Sequence, residues 1–272
     1  ITKTTYKFGS LQNPETQRWV DNMFIEENLY YKRIRLNNDK AVEAFNKVYI
    51  SNGNWRKVVN LKARAITADG KIIEFDDSNK KEVENYENYG PFTIFALEGI
   101  EVGSEIEYTY TTQEPASSQY YGITVQSQYP KRNYYFEIEC PEYLEFKTKS
   151  YNGLKDAIAD TATDDEVGRY AIQLDQVEAF KEEDYSAGDA LKQRIEVKLF
   201  ANNNTNKRNF YSWNEAATSK SNLIYSGRDD KQLKKEQKAI KKLVKSNKWH
   251  KITNPKDQVI AIEHYIKKNF NS

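Results

Sequence analysis

Apolar and polar positions change period twice along this chain. The stretch Asn13–Asn28 opens on Asn-Pro-Glu and then spaces Trp19, Val20, Met23 and Phe24 over one broad face, which predicts a helix. From about Leu29 the period shortens to two. "WRKVVNLKARAITADGKIIEF" reads as two strands joined at Asp69-Gly70, a strong hairpin signal. "FTIFAL" is a short apolar strand, and "GIEVGSEIEYTYTTQEP" is a turn at Gly103 followed by a strand with Ile106, Tyr108 and Tyr110 on one side. "NYYFEIECPEYLEFKT" and "QRIEVKLFA" alternate in the same way. After about Asn209 the period returns to 3.6. "WNEAATSKSNLI" predicts a short helix. Residues 231–246 predict a clearer one, with Leu233, Ala239, Ile240, Leu243 and Val244 on one face and six lysines opposite.

The last segment, "NPKDQVIAIEHYIKKNFNS", has an N-capping Asn254, Pro255 at the first helical position, Asp257 in the first turn, and Lys267 and Lys268 in the last. Val259, Ile262, Ile266 and Phe270 form a narrow stripe. The short link "WHKITN" lets this helix pair with residues 231–246 as an antiparallel hairpin through the two apolar faces. A helix, many strands and then helices suggest segregated parts, not a βαβ weave. The expectation is a mainly β chain: an antiparallel β-sandwich over residues 29–200, then a short C-terminal helical segment. The predicted domains are residues 1–208 and 209–272, with "ANNNTNKRN" (Ala201–Asn209) as the linker and "ADTATDDEVG" (Ala159–Gly168) as an exposed acidic loop.

Composition narrows the function classes. The 272 residues are 38% hydrophobic and 30% charged, with 20 Tyr, 12 Phe and 4 Trp, so aromatics carry much of the apolar content. Mean hydropathy is −0.87. Basic and acidic side chains number 41 and 40, a balance that offers no field for nucleic acid or anionic lipid. The lysine face of residues 231–246 then reads as a solvated helix face. No apolar run is long enough to span a bilayer. The first residue is Ile1, which suggests an excised piece, and one cysteine excludes an internal disulfide.

Little of the sequence points to catalysis. Cys140 is the single thiol and shares a strand face with Phe136 and Ile138, so a buried small hydrophobe is its simplest reading. His250 and His264 are the two imidazoles, 14 residues apart with no cysteine beside them, which is not a zinc pattern. The adjacent carboxylates Asp76/Asp77, Asp164/Asp165 and Glu182/Glu183 would need to face each other across a cleft to act as an acid–base pair. No phosphate loop, dinucleotide fingerprint, nucleophile elbow or HExxH is present. No catalytic, cofactor-binding or metal-binding residue is assigned. The tyrosine-rich strands leave a second reading open: a carbohydrate- or peptide-binding sandwich, favoured if three or more coplanar aromatics are exposed on one sheet face.

Several stretches together carry a resemblance: "VVNLKARAITADGKIIEF", "FTIFALEGIEVGSEIEYTYTTQEP", "YYFEIECPEYLEFKTK", "YAIQLDQVEAFKEEDYSAGDALKQRIEVKL" and "FYSWNEAATSKSNLIY". Their order and spacing from Leu29 to Phe270 resemble the N-terminal β-sandwich domain, of no assigned function, that precedes a transglutaminase-like core in exported bacterial proteins. Val177 and Glu178 stand where that family commonly has a proline before the position of Ala179. The resemblance implies that the C-terminal helices open a papain-like core whose Cys, His and Asp lie beyond this chain. It implies a noncatalytic accessory domain of a cysteine protease or amidohydrolase, exported to the periplasm or cell envelope, with the downstream core as its partner. The chain as given then has no cofactor and no triad.

Overall fold

In the computed structural model, which describes residues 1–53, 55–116, 120–160, 167–184, 186–210, 212–226 and 228–269, the Asn13–Asn28 stretch is a turn and a strand, not the helix its spacing predicts. The Asn13 side-chain oxygen accepts the amides of Glu15 and Thr16 at 2.9 Å each, and Gln17 takes a left-handed φ of 57°. The same Asn-Pro-Glu chemistry that caps a helix here closes a turn. It joins β1 (Thr2–Gln12) to β2 (Trp19–Arg35). The two pair from Thr2↔Tyr30 to Gln12↔Trp19, so the ladder supplies the backbone bonds that a helix would have made internally.

Most of the remaining elements follow the period-two pattern. They are α1 (Asp39–Phe45), β3 (Lys47–Ser51), β4 (Lys57–Ile66), β5 (Ile72–Glu74), β6 (Lys80–Val83), β7 (Phe92–Ala96), β8 (Glu105–Pro115) and β9 (Tyr120–Thr124). Then come β10 (Lys131–Pro141), β11 (Leu144–Tyr151), β12 (Ile158–Asp160), β13 (Val167–Val177), α2 (Gly188–Leu191), β14 (Arg194–Asn202) and β15 (Lys207–Arg208). The Asp69-Gly70 hairpin is present between β4 and β5. Gly70 has φ 87°, and its amide bonds the Thr67 carbonyl at 2.9 Å. The predicted linker Ala201–Asn209 is instead a hairpin: Ala201 pairs with Arg208 and Asn202 with Lys207. Its asparagines serve the turn, with Asn202 accepting the amides of Asn204 and Thr205 and Asn206 at φ 51°.

Among the described residues the strands make three sheets: eight strands in the order β12-β13-β10-β1-β2-β8-β4-β5, a second sheet of β11, β14, β15 and β9, and a third in the order β3-β7-β6. Among the described residues β1–β10 is parallel and every other pairing is antiparallel. Both small sheets lie on the same face of the large one. At one end Tyr6 of β1 stacks on Phe146 of β11 over a core with Phe136, Ile138, Ile195 and Val197. At the other, Phe95 of β7 meets Tyr108 of β8 over a core with Leu36, Ile50 and Ile106. The outer face of the large sheet carries cross-strand ion pairs, including Lys3–Glu139 at 2.8 Å, Lys7–Glu27 at 2.9 Å and Arg64–Glu107 at 2.5 Å.

The chain divides into a strand unit, Ile1–Tyr211, and a helical unit, Ser212–Ser272. The helical unit holds α3 (Trp213–Tyr225), α4 (Asp230–Ser246) and α5 (Pro255–Asn269), close to the predicted helices. A capping box of Ser212 and Glu215 starts α3, and Asp229 caps α4. The hairpin predicted through the apolar stripes does not form in that way. Trp249, in the short turn Trp249–Lys251, is buried and meets Tyr265 edge-on at 5.3 Å, while Gln258 donates to the Trp249 carbonyl at 3.1 Å. The packed face of α5 is therefore Gln258, Ala261, Ile262 and Tyr265, one residue around from the stripe, and Val259 and Ile266 are exposed. Phe270 lies outside the described residues. No described helix is long and apolar enough to cross a membrane.

Candidate functional site

The residues singled out from sequence do not assemble. Cys140 is 1% exposed in β10, its Sγ 3.6 Å from the carbonyls of Leu144 and Gly168. Burial, helped by the charge of Glu139, pushes its thiol up to about 12. That is the reverse of an activated nucleophile, which needs a cationic neighbour or a helix N-terminus. His250 and His264 are both exposed, in the helical unit. Asp76 accepts the Ser78 amide at 2.8 Å and so starts the 3-10 turn Asp77–Asn79. It also lines a hollow of about 330 Å³ with Glu74, Ser78, Asn79 and Glu98. Glu182 pairs with Lys192 at 3.0 Å, a surface contact that orders the approach to α2. Asp164/Asp165 and most of the predicted acidic loop lie outside the described residues. Among those described, no cluster of His, Cys, Asp and Glu could hold a metal.

One cluster of aromatics on a sheet face can be compared with the flat platform that sugar stacking requires. Tyr49, Tyr86 and Phe92 cluster on the outer side of the β3-β7-β6 sheet, but their rings are tilted by 42° and 54° to one another. The coplanar arrangement that would favour stacking on a sugar ring is not met there.

A different cluster lies on the inner face of the large sheet, between the two cores. There the strands bring polar residues into register. One row runs Tyr6–Glu26–Glu114 across β1, β2 and β8, and the next runs Thr4–Asn28–Thr112. Arg56, just before β4, bonds Glu114 at 2.6 Å. Thr4 donates to Asn28 Oδ1 at 2.6 Å, and Asn28 Nδ2 donates to Glu26 Oε1 at 2.8 Å. Tyr30 stacks on Tyr110 with centroids 4.9 Å apart. Tyr6, Thr4, Asn28 and Thr112 are all at most 5% exposed.

The network is incomplete. Tyr6 Oη, Tyr121 Oη and Thr112 Oγ1 are buried without a well-formed hydrogen bond. Tyr6 nonetheless lies near enough to Tyr121 and Glu26 to feel both, and burial followed by those two neighbours pushes its phenol far above the usual range. Burial also raises Glu26. Glu114 adds to that rise, while Asn28, Tyr6 and Arg56 offset part of it. Sequence reasoning missed this site because it placed Glu26 and Asn28 on a helix. The available signal was polar residues at alternate positions, Glu26, Asn28 and Tyr30, on what is the inward side of a strand.

The family described as "Domain of Unknown Function with solved-structure structure" (DUF3857) matches residues 26–181. No curated protein matches. A solved structure from Parabacteroides distasonis, described as a "putative protease", is similar at 15% identity and a TM-score of 0.60, over 98% of this chain and 50% of that one. The chain thus spans half the length of that structure, and at this identity the likeness is one of fold.

Proposed function

The chain belongs to the DUF3857 family, and we propose that it is the noncatalytic accessory part of a larger hydrolase, a β-sandwich unit followed by the first helices of a transglutaminase-like core. The observation that carries this reading is Cys140. It is the single thiol, and it sits in a core with its pKa pushed up to about 12. A fold shared with half of a longer candidate protease supports the division of labour. So does the sequence resemblance from Leu29 to Phe270. On this reading the parent is an exported cysteine protease or amidohydrolase, its nucleophile, imidazole and carboxylate come from a downstream core, and that core is the partner of the helical unit.

The test is activity of the chain as it stands. Peptide and amide substrates are expected to show no turnover above buffer. Turnover that persists through purification and disappears in Cys140→Ala would overturn the reading. A second reading, a ligand-binding module, is favoured by the incomplete polar row on the inner face and not by the exposed aromatics.

A further inference from the structure

Because α5 packs through Trp249, the apolar stripe of α4 is left open. At 100° per residue Leu233, Ile240 and Val244 fall within an arc of about 40°. Ile240 is 56% exposed, and Leu233 and Val244 are only half-buried. Beside this stripe Lys234, Lys238, Lys241 and Lys245 share an arc of about 60°. Among the described residues none of these four lysines has a carboxylate at ion-pair distance. Glu236 lies on the other side of the stripe and pairs with Arg228 at 3.0 Å. Asp230, the other acidic residue of α4, is in its first turn, about three turns before Lys241. At the far end of the stripe a groove of about 360 Å³ opens to solvent, lined by Ile240, Val244, Lys241, Lys245 and His250. An open apolar strip bordered by a single sign of charge fits a partner of the opposite sign.

We propose that this face of α4 binds an acidic amphipathic helix of a partner protein, with apolar side chains seated on Ile240 and Val244 and carboxylates against Lys241 and Lys245. Those two lysines are one helical turn apart, about 6 Å along the axis, so acidic residues four apart on a partner helix meet both. Apolar residues three and four apart on the same helix then fall into the groove, the spacing by which helices dock in grooves. A membrane surface fits less well. The stripe is narrow, Gln237 interrupts it, and α4 has no aromatic residue to anchor in a lipid interface. A phosphate backbone would gain the lysines and leave Ile240 and Val244 in water. The site lies on one face of the helical unit and stands whether or not a catalytic core follows.

The probe is a labelled synthetic helix of about three heptads, with Leu at two positions of each heptad and Glu beside them. It is titrated into the full chain by fluorescence anisotropy, with a control peptide that has Gln in place of every Glu. The acidic peptide is expected to bind, and the Gln peptide to bind about tenfold or more weakly. Ile240→Glu, a change at an exposed position, should weaken binding by a similar factor while circular dichroism stays unchanged. Lys241→Glu with Lys245→Glu should do the same. Lys235→Glu with Lys242→Glu makes the same change of charge on another side of α4, and should leave binding within about twofold. No binding to the wild-type chain, equal binding of the Gln peptide, or equal loss from the two lysine pairs would each overturn the proposal. So would binding to phosphatidylserine vesicles, or a dimer in sedimentation, that Ile240→Glu abolishes, since either would give the groove to a different occupant.

Discussion

Cys140 and Glu26 show how one strand position decides a side chain's chemistry. Cys140 points into the core between Ile138 and Leu144, and Gly168 on the neighbouring strand leaves it room, since a Cβ there would stand 3.4 Å from the sulfur. With its thiol pushed up to about 12, thiolate is scarce at neutral pH. Reaction with a thiol reagent should be slow in the native chain and become fast on unfolding. Labelling at the same rate in both states would contradict the buried placement. The sign of the pH effect differs among the carboxylates. Tyr31 and Arg64 hold Glu107 below its ordinary 4.5. At Glu27 and Glu139 burial pushes upward, but Lys7 with Gln113 and Lys3 with Arg169 outweigh it. Groups depressed in the folded state contribute stability that is present above pH 4.5 and is lost as pH falls through their folded values. Glu26 is raised, so its ionisation costs stability above its folded pKa. Urea midpoints should therefore fall on acidification below about pH 4.5. Glu26→Gln should be at least as stable as the parent at pH 7, and a lower midpoint at pH 7 would contradict this.

The elements were legible where chemistry and period agree, and not where a turn imitates a helix start. The β4–β5 hairpin was readable because Asp69-Gly70 puts the one residue that tolerates φ 87° at the point that needs it. Gly70→Ala meets no atom within 4 Å, so its cost is conformational alone, about 1 kcal/mol. Chemical denaturation should show that loss, and an unchanged midpoint would mean that the turn relaxes. Strand β1 was not readable as a central strand. "TKTTYKF" is too polar on its inward side to announce a core, because Thr4 faces a polar row and not an apolar one. The parallel β1–β10 pairing spans more than 130 residues and leaves no local mark. Asn13 misled for a related reason, since an asparagine accepting two following amides opens a helix or closes a turn equally well. At Ser212 the same chemistry does open a helix, through reciprocal bonds with Glu215. Ser212→Ala should cost about 1 kcal/mol of α3 stability. Faster hydrogen exchange in the first turn of α3, with the strands unchanged, is the expected sign.

At the scale of the whole chain, the two units differ in how they are held. The strand unit has two extensive cores, whereas Trp249 is the single side chain of the helical unit, among those described, that is buried. The units also differ in charge. Residues 212–272 carry 14 lysines and arginines against 6 acidic residues, so the neutrality of the full sequence hides a basic C-terminal part and an acidic remainder. Like charge on three neighbouring helices opposes their packing. The amphipathic stripes were visible in the sequence, but which residue would hold the helices was not. Trp249 sits in a connector, and its ring takes the α5 face through Tyr265 while Val259 stays 65% exposed. Removing such a ring from a buried contact typically costs 3–5 kcal/mol. α5 has no buried residue of its own to resist that loss. Trp249→Ala is therefore expected to release the amides of residues 255–269 to near free-peptide exchange while those of β1, β2 and β8 keep their protection. Unchanged protection of α5 would show that something other than Trp249 holds it, and loss of protection in the strands at the same rate would show that the two units unfold as one.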